Sequence, residues 1–394
     1  MSERQPQSVV YVLPDKMGGM MNIVSGLLSA RAADDFSYHA VLTHNRLHTD
    51  ARFAERLPAD SQALVEYSLP TENLHAVMRR LAGAIPSGGG VYVAGDLHDL
   101  ATASVHDFGR AVVYVLHGDT DYYYDLATKH DAVVHAFVAY SRRMFDVLRS
   151  RLPHRAESIF YLPYGVPIPT TGRASSQGPL RAIFAGRLEH GQKGVLDLPE
   201  LDRVLRERGV LVRWTIAGAG PDEAELRRLW SFNPEVVWRG QLTRDALAAE
   251  YARQDVFVLP TRFEGFPVAL LEAMASGLVP VVSDIPSGVP EAVEPELTGY
   301  RPPVGDIGAF VDALASLARD RARLEAMSHE ARRSVAARFD IRERVADYQA
   351  LYRRWRDFYR PLDGRGHLQY GSRLDKPWIP NPIVRAVRTA LKAG

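Results

Sequence analysis

The feature that most restricts this chain is a repeated alternation of short β-branched runs with helix-periodic segments, punctuated by glycine and proline. Residues 9–13 form such a run, which ends at Pro14 and the pair Gly18-Gly19, and a periodic segment over 22–33 follows. Strand, glycine loop and helix in that order open a doubly wound α/β unit. The alternation recurs with strand-like 38–42, 91–94 and 111–116, helix-like 73–84 and 99–106, and further short strands at 132–138 and 158–162. Strands linked through helices pair in parallel, because a parallel neighbour needs a crossover of a dozen or more residues.

The pattern stops once. Between 163 and 179, Pro167, Pro169, Thr170, Thr171, Gly172, Ser175, Ser176 and Gly178 supply no periodic apolar face. It then restarts, with strands expected at 181–185, 212–217, 236–238, 256–259 and 279–283. Helices are expected at 195–208, 222–229, 244–254, 267–276 and 307–319, and as one run from 321 to about 359. The expected organisation is a Rossmann-like domain over 1–166, a flexible linker over 167–179, a second Rossmann-like domain over 180–340, and helices crossing back with a basic tail over 341–394. The fold class is therefore α/β, two doubly wound parallel sheets facing a central cleft, with ligands expected at the carboxyl ends of the strands.

Composition narrows the chemistry. The 394 residues carry 48 Lys+Arg against 47 Asp+Glu, a formal net charge of +1, so no global field argues for nucleic acid and an anion must be held locally. The absence of cysteine removes disulfides, zinc-thiolate sites and thiol nucleophiles, and it fits a reducing compartment. The polar start MSERQPQ and the lack of a long uncharged apolar run show neither signal peptide nor transmembrane helix, so a soluble, cytoplasmic protein is expected.

The most informative stretch runs from Thr261 to Gly277, TRFEGFPVALLEAMASG. A glycine turn leads from a strand into a helix, and Pro267 is expected at the first helical position, where its missing N–H costs nothing. The amides of Gly265, Phe266, Val268 and Ala269 then point at an anion, with the helix dipole adding to the attraction. Glu272 is a carboxylate within an otherwise apolar helix, which costs free energy unless something hydrogen-bonds it; a ligand's vicinal hydroxyls would do so. The alternative is a capping Glu264 and a Glu272 paired with an arginine.

Glu264 and Glu272 in EGFPVALLEAMASGLVPVVSD, with SGVPE at 287–291 and GYRPPVGD at 299–306, resemble the C-terminal half of GT-B glycosyltransferases, specifically the retaining family GT4. Two glutamates with seven residues between them are that family's signature. Residues 184–194, FAGRLEHGQKG, and 216–221, IAGAGP, look like two further family segments. The resemblance implies a nucleotide-diphosphate sugar donor, a UDP- or GDP-sugar, bound mainly by the second domain. Arg187 and Lys193 would meet the diphosphate and assist departure of the leaving group; a solvated loop is their plainer reading. Glu272 would accept from the ribose hydroxyls. Glu264 would lie near the transferred sugar and the developing oxocarbenium ion. No catalytic metal and no cofactor are implied, since fixed cations and a helix N-terminus can hold a leaving diphosphate. Asp119 and Asp121 match an Asp-x-Asp pattern but follow a first-domain strand. With no pair of facing carboxylates identified, the resemblance implies the front-face mechanism, in which the leaving phosphate oxygen takes the acceptor's proton.

Gly218 and Gly220 invite a dinucleotide reading, but Pro221, Asp222 and Glu223 follow in place of a third glycine, so a tight turn lining the donor site is expected instead. In the first domain Gly18 and Gly19 look like the family's glycine loop, and His117 matches a family histidine that meets the transferred sugar. His98 and Asp99 occupy a comparable strand end with weaker claims. Met17, Met20, Met21, Tyr122, Tyr123 and Tyr124 would shape an acceptor pocket or serve as core.

Between 361 and 394, Arg365, Arg373, Lys376, Arg385, Arg388 and Lys392 outnumber Asp363 and Asp375, and Ile383, Val384, Val387 and Leu391 make one helix face. Two readings stand: peripheral contact with an anionic bilayer, or a helix packed on the first domain. The expected activity is transfer of a hexose-type sugar to a hydroxyl acceptor: a glycan, a lipid-linked intermediate or a small metabolite. The alternatives are an epimerase or phosphorylase on the same scaffold, or an inactive nucleotide-sugar-binding subunit.

Overall fold

A computed structural model describes residues 7–16, 18–48, 52–53, 56–175, 177–361 and 371–392. Met17, Ser176, Asp363 and Arg365 lie outside them. The chain divides into two compact units: the described residues of 1–140, 145–163 and 344–394 form the first, and those of 141–144 and 164–343 the second.

The first unit holds strands β1 (Gln7–Pro14), β2 (Phe36–Asn45), β3 (Ser61–Tyr67), β4 (Gly89–Ala94), β5 (Arg110–Val115), β6 (Ala136–Ala139) and β7 (Ile159–Tyr161). They pair in parallel in the order β3-β2-β1-β4-β5-β6-β7. The second unit holds β8 (Leu180–Ala185), β9 (Val212–Ala217), β10 (Val237–Gly240), β11 (Val256–Leu259) and β12 (Val279–Val282), parallel in the order β10-β9-β8-β11-β12. Helices cover both faces of such a sheet, which is why central strands such as β1 and β11 read as unbroken apolar runs and not as alternating ones. In each sheet the strand order reverses once, between β1 and β4 and between β8 and β11, and the loops leaving these strands are where an open α/β sheet takes ligands.

Three expectations change. Strand β3 has no counterpart in the sequence pattern: it is an edge strand whose Ser61, Gln62 and Glu66 interrupt any apolar run, and even its Leu64 is exposed. The helices Asp121–Lys129 and Arg142–Arg151 fall on stretches too polar or charged to read as periodic. The expected helix from 321 to about 359 is three helices, Arg321–Phe339, Ile341–Arg353 and Trp355–Phe358. At Asp340 the backbone turns aside to pair with a distant segment: Val166 N donates to Phe339 O (2.8 Å), and Ile341 N donates to Val166 O (3.0 Å). Asp340 also caps the helix that follows, its carboxylate accepting from Arg342 N (3.0 Å).

The proline-rich segment after 163 is tied to the second unit. Arg173 N donates to Ser276 O (2.7 Å), and its buried guanidinium bonds Asp255 (2.7 Å). Asp255 also holds Arg181 at 2.8 Å and has Arg321 at 3.7 Å. In the first unit, the helix Asn381–Lys392 packs on the residues around Asn73: Asn73 N donates to Asn381 Oδ1 (2.7 Å), and Leu74 N donates to Asp375 Oδ1 (2.8 Å). Of the two readings of this segment, packing on the first domain is present.

Because Asp255 is the shared partner of the buried Arg173 and the partly buried Arg181 and Arg321, its loss leaves their charge poorly compensated. Asp255→Ala is expected to lower the urea-unfolding free energy of the second unit by about 3–5 kcal/mol. A change within about 0.5 kcal/mol would show that the cluster does not hold this segment in place.

Candidate functional site

In the second unit, three loops leaving β8, β9 and β11 are pressed backbone against backbone. A Cβ placed on Gly218 (φ +144°) would stand 1.8 Å from the Gly186 carbonyl oxygen, and one on Gly220 2.3 Å from that of Leu188. Gly194, at φ +65°, would put a Cβ 1.9 Å from the Pro260 carbonyl oxygen. Only glycine permits these approaches. Hydrogen bonds from Arg262 N (2.8 Å) and Thr261 Oγ1 (2.9 Å) to Gln192 O lock the β8 and β11 loops together.

This brings Lys193 to Glu264 across 71 residues of sequence, where the ammonium donates to Oε1; Thr261 Oγ1 lies 3.0 Å from the same oxygen, so its one proton is shared between Glu264 and Gln192 O. Arg187 stands more openly on its loop, 3.3 Å from Glu189. Beyond Glu264 the chain enters the helix Val268–Ala275. Pro267 is its N-cap, not its first helical residue: its ψ of 116° is extended, and its carbonyl accepts from Leu270 N (3.2 Å). The backbone N–H groups of Gly265, Phe266, Val268 and Ala269 make no hydrogen bond among the described residues. Phe266 is held from behind, since buried Tyr164 donates its hydroxyl to Phe266 O and a Cβ on Gly288 would meet the Phe266 ring at 2.3 Å.

Glu272 lies one turn into the same helix, half-buried, and no side-chain hydrogen bond or ion pair reaches its carboxylate among the described residues. Burial pushes its carboxyl up to about 7, with Arg244 drawing it back down. An arginine is therefore near, but it does not pair.

In the first unit the loops leaving β1, β4 and β5 meet at His117. Its Nδ1 lies 3.3 Å from the Tyr140 hydroxyl, and a Cβ on Gly95 would stand 2.7 Å from its Nε2 and 3.5 Å from Met20 Cε. Burial pushes the imidazole down to about 4, so it is neutral near pH 7. The ring lines a small cavity with Tyr11, Gly95, Tyr140 and Tyr352. Gly18 caps the helix Gly19–Ala30 with nothing within 4 Å of a built Cβ, leaving open space there.

The aromatic run divides. Tyr122 is exposed and donates to Asp96; Tyr123 packs over Gly118, and burial pushes its hydroxyl up to about 12; Tyr124 and Met21 are core. Asp119 accepts from Tyr124 (2.5 Å), and Asp121 pairs with Arg151. Asp99 completes the N-terminal cap of the helix Leu97–Val105, and the His98 ring packs tilted against Tyr67, 5.4 Å between centroids. The sequence reading gave no site role to Thr261, Gln192, Tyr164, Gly95, Tyr140 and Arg244. Their contacts join separate loops, and only the threonine's proximity to Glu264 carried a local signal.

This is the two-unit α/β fold of the GT-B class, and residues 179–320 match the family model described as Glycosyl transferases group 1. The chain is 37% identical over 172 residues to a putative colanic acid biosynthesis glycosyltransferase, WcaL, of Salmonella typhimurium, covering 41% of this chain and 42% of that protein. It is 33% identical over 171 residues to the amylovoran biosynthesis glycosyltransferase AmsK of Erwinia amylovora, again covering 41% and 42%. The chain thus spans about two fifths of the length of these curated relatives. Among solved structures, sucrose-phosphate synthase of Thermosynechococcus elongatus superposes with a TM-score of 0.68 at 15% identity, covering 88% of this chain and 99% of that one. Anabaena HepE in complex with UDP and glucose also gives 0.68 at 15% identity, covering 87% and 99%.

Glu272 carries a stability consequence. With its native pKa raised from 4.5 to about 7, the folded chain keeps a proton that the unfolded chain gives up, so stability falls as pH rises through that window and the ionised group remains a burden above it. Glu272→Gln is expected to stabilise the ligand-free protein by about 1–3 kcal/mol at about pH 8 and by little at about pH 4. Urea unfolding at both pH values checks this; equal effects at both would contradict it.

Proposed function

We propose that the chain is a retaining, metal-independent GT4 glycosyltransferase that moves a hexose-type sugar from a nucleotide-diphosphate sugar, a UDP- or GDP-sugar, to a hydroxyl acceptor. The observation that carries this is the set of N–H groups of Gly265, Phe266, Val268 and Ala269, unbonded among the described residues, beside Lys193, Glu264 and a Glu272 carboxylate without a side-chain partner among them. Unbonded donors at a helix N-terminus hold an anion, and fixed cations beside them hold a second charge. A carboxylate without donors fits a ligand that brings hydroxyls, which is what a ribose presents. Solved neighbours of the same fold are in complex with UDP and glucose and with UDP-glucose.

In this reading Lys193 and Arg187 meet the diphosphate, Glu272 accepts from the ribose, and Glu264 lies by the transferred sugar, positioned by Lys193 and Thr261. Gly18 and Gly19 leave the first-unit loop open to donor or acceptor. Neutral His117 offers a hydrogen bond and not a charge. The bond from the sugar's anomeric carbon to the phosphate oxygen breaks, the bond to the acceptor oxygen forms on the same face, and the acceptor's proton passes to the departing phosphate oxygen. Fixed positive groups stabilise the negative charge that grows on that oxygen.

The test is a screen of UDP-, GDP-, ADP- and dTDP-sugars in EDTA, reading thermal stabilisation and slow donor hydrolysis. One base and sugar that stabilise the protein and are hydrolysed without metal support the reading. Binding only after a divalent cation is restored refutes metal independence, and an isomerised donor without transfer favours an epimerase.

With the donor in hand, Glu272→Ala is expected to weaken donor binding by about 10- to 100-fold, the worth of hydrogen bonds to a charged group. His117→Ala and Glu264→Ala should instead lower kcat at least about tenfold with donor affinity within about threefold. Calorimetric Kd values beside steady-state rates separate the two patterns, and equal losses of affinity in all three variants would overturn this division of roles.

A further inference from the structure

The helix Asn381–Lys392 is fastened to the first unit along one side. Val384 is fully buried, Asn381 Nδ2 donates to Glu72 (3.0 Å), Arg385 pairs with Glu72 (2.9 Å), and Arg388 pairs with Asp375 (2.7 Å). Another side faces outward and is apolar. Ile383, Val387 and Leu391, spaced one turn apart and so on one stripe, are 54%, 38% and 74% exposed, and Trp378 just before the helix is 74% exposed.

Charge says what such a face can meet. Residues 371–392 contain Arg373, Lys376, Arg385, Arg388 and Lys392 against a single acid, Asp375. Asp375 is nearly buried and bound to Arg388; Glu72 at the seam is buried and bound to Arg80 and Arg385. Both carboxylates are thus turned inward and consumed. Arg373 and Lys376 stand exposed beside Trp378, and Arg79 donates to Pro377 O (3.3 Å), placing its guanidinium at the same turn. The outward surface is therefore apolar at its centre and basic at its edge, and its complement is apolar beneath an anionic rim. A bilayer with anionic headgroups has that profile, with tryptophan suited to the boundary between headgroup and acyl chain. Twelve residues are too short to span a bilayer, so the helix would lie in the plane of the interface. No described helix is long and apolar enough to cross one.

We propose that the face formed by Trp378, Ile383, Val387 and Leu391, with Arg373 and Lys376 beside it, docks on the surface of an anionic lipid bilayer. The claim is independent of sugar transfer. Vesicle flotation of the full chain tests it, using phosphatidylcholine vesicles with and without phosphatidylglycerol. Wild type should float with the anionic vesicles, stay behind with phosphatidylcholine alone, and be released by high salt. Trp378→Ser with Leu391→Gln should weaken binding at least about tenfold, and Arg373→Gln or Lys376→Gln by roughly fivefold each. These side chains are exposed, so melting temperatures should match wild type; a variant that melts lower is replaced by Ile383→Gln. Absence of wild-type flotation, or equal flotation by every variant, overturns the proposal. So does a wild-type dimer that Trp378→Ser with Leu391→Gln dissolves, which would assign the face to a second copy of the chain. Nucleotide-sugar stabilisation read on the same samples reports the donor site separately.

Discussion

The second unit's loops depend on one constraint: at the ends of β8, β9 and β11 the backbone passes within contact of backbone. Gly218 lies against Gly186, Gly220 against Leu188 and Gly194 against Pro260, each at a separation that excludes a β-carbon. With side chains removed from these seams, the loops are fixed by carbonyls and amides, which have no rotamers to choose between. The N–H groups from Gly265 to Ala269 therefore point where the fold puts them before any ligand arrives. Such preorganisation is what makes a dipole array effective, because its reorganisation cost is met during folding and not during binding.

Against that rigid frame the carboxylates sort themselves. Asp255 has arginine partners, Asp202 accepts from Trp230 (2.9 Å) and Asn233 (2.7 Å), Asp99 accepts from two backbone N–H groups, and Glu72 is shared by Arg80, Arg385 and Asn381. Each has donors that replace water, although at Asp99 burial and the neighbouring Asp96 charge outweigh the two N–H groups and push its carboxyl well above the usual range. Glu272 has no such donors and is driven toward its neutral form. A fold that gives these interior acids donors and leaves Glu272 without one among the described residues keeps a local instability at the place where a hydroxyl-bearing ligand would relieve it.

Much of the fold was legible because strands buried on both faces have no choice but to be apolar. The runs 212–217 and 256–259 and the helix 307–319 have the same bounds in sequence and structure. The failures share a cause. Edge strand β3 is half polar because one side has no neighbouring strand, and the break at Asp340 exists because Val166, far away in sequence, takes up the backbone hydrogen bonds that a continuing helix would have used. Periodicity reports which face of a segment is buried, but not which distant segment interrupts it.

The candidate site was legible to the same depth. Glu272 announces itself locally as a charge misplaced in an apolar helix, and the glycine turn at Glu264 marks the helix start to within one residue, at Pro267 instead of Val268; Lys193 came with the family resemblance and not from its own surroundings. What the sequence concealed is who holds whom. That Lys193 reaches Glu264 follows from Gly194 lying against Pro260, and the seating of Phe266 follows from Tyr164, about a hundred residues earlier in the chain. The same holds for His117. Its position at a strand end suggested a role, but its charge state is set by Gly95, Tyr140 and the packing around them, which hold the ring too dry to bind a proton near neutrality. A neutral imidazole can donate from one nitrogen while the other is occupied, so what His117 can offer a sugar is a directed hydrogen bond. That is a property of three loops packed together, and no one of them contains it.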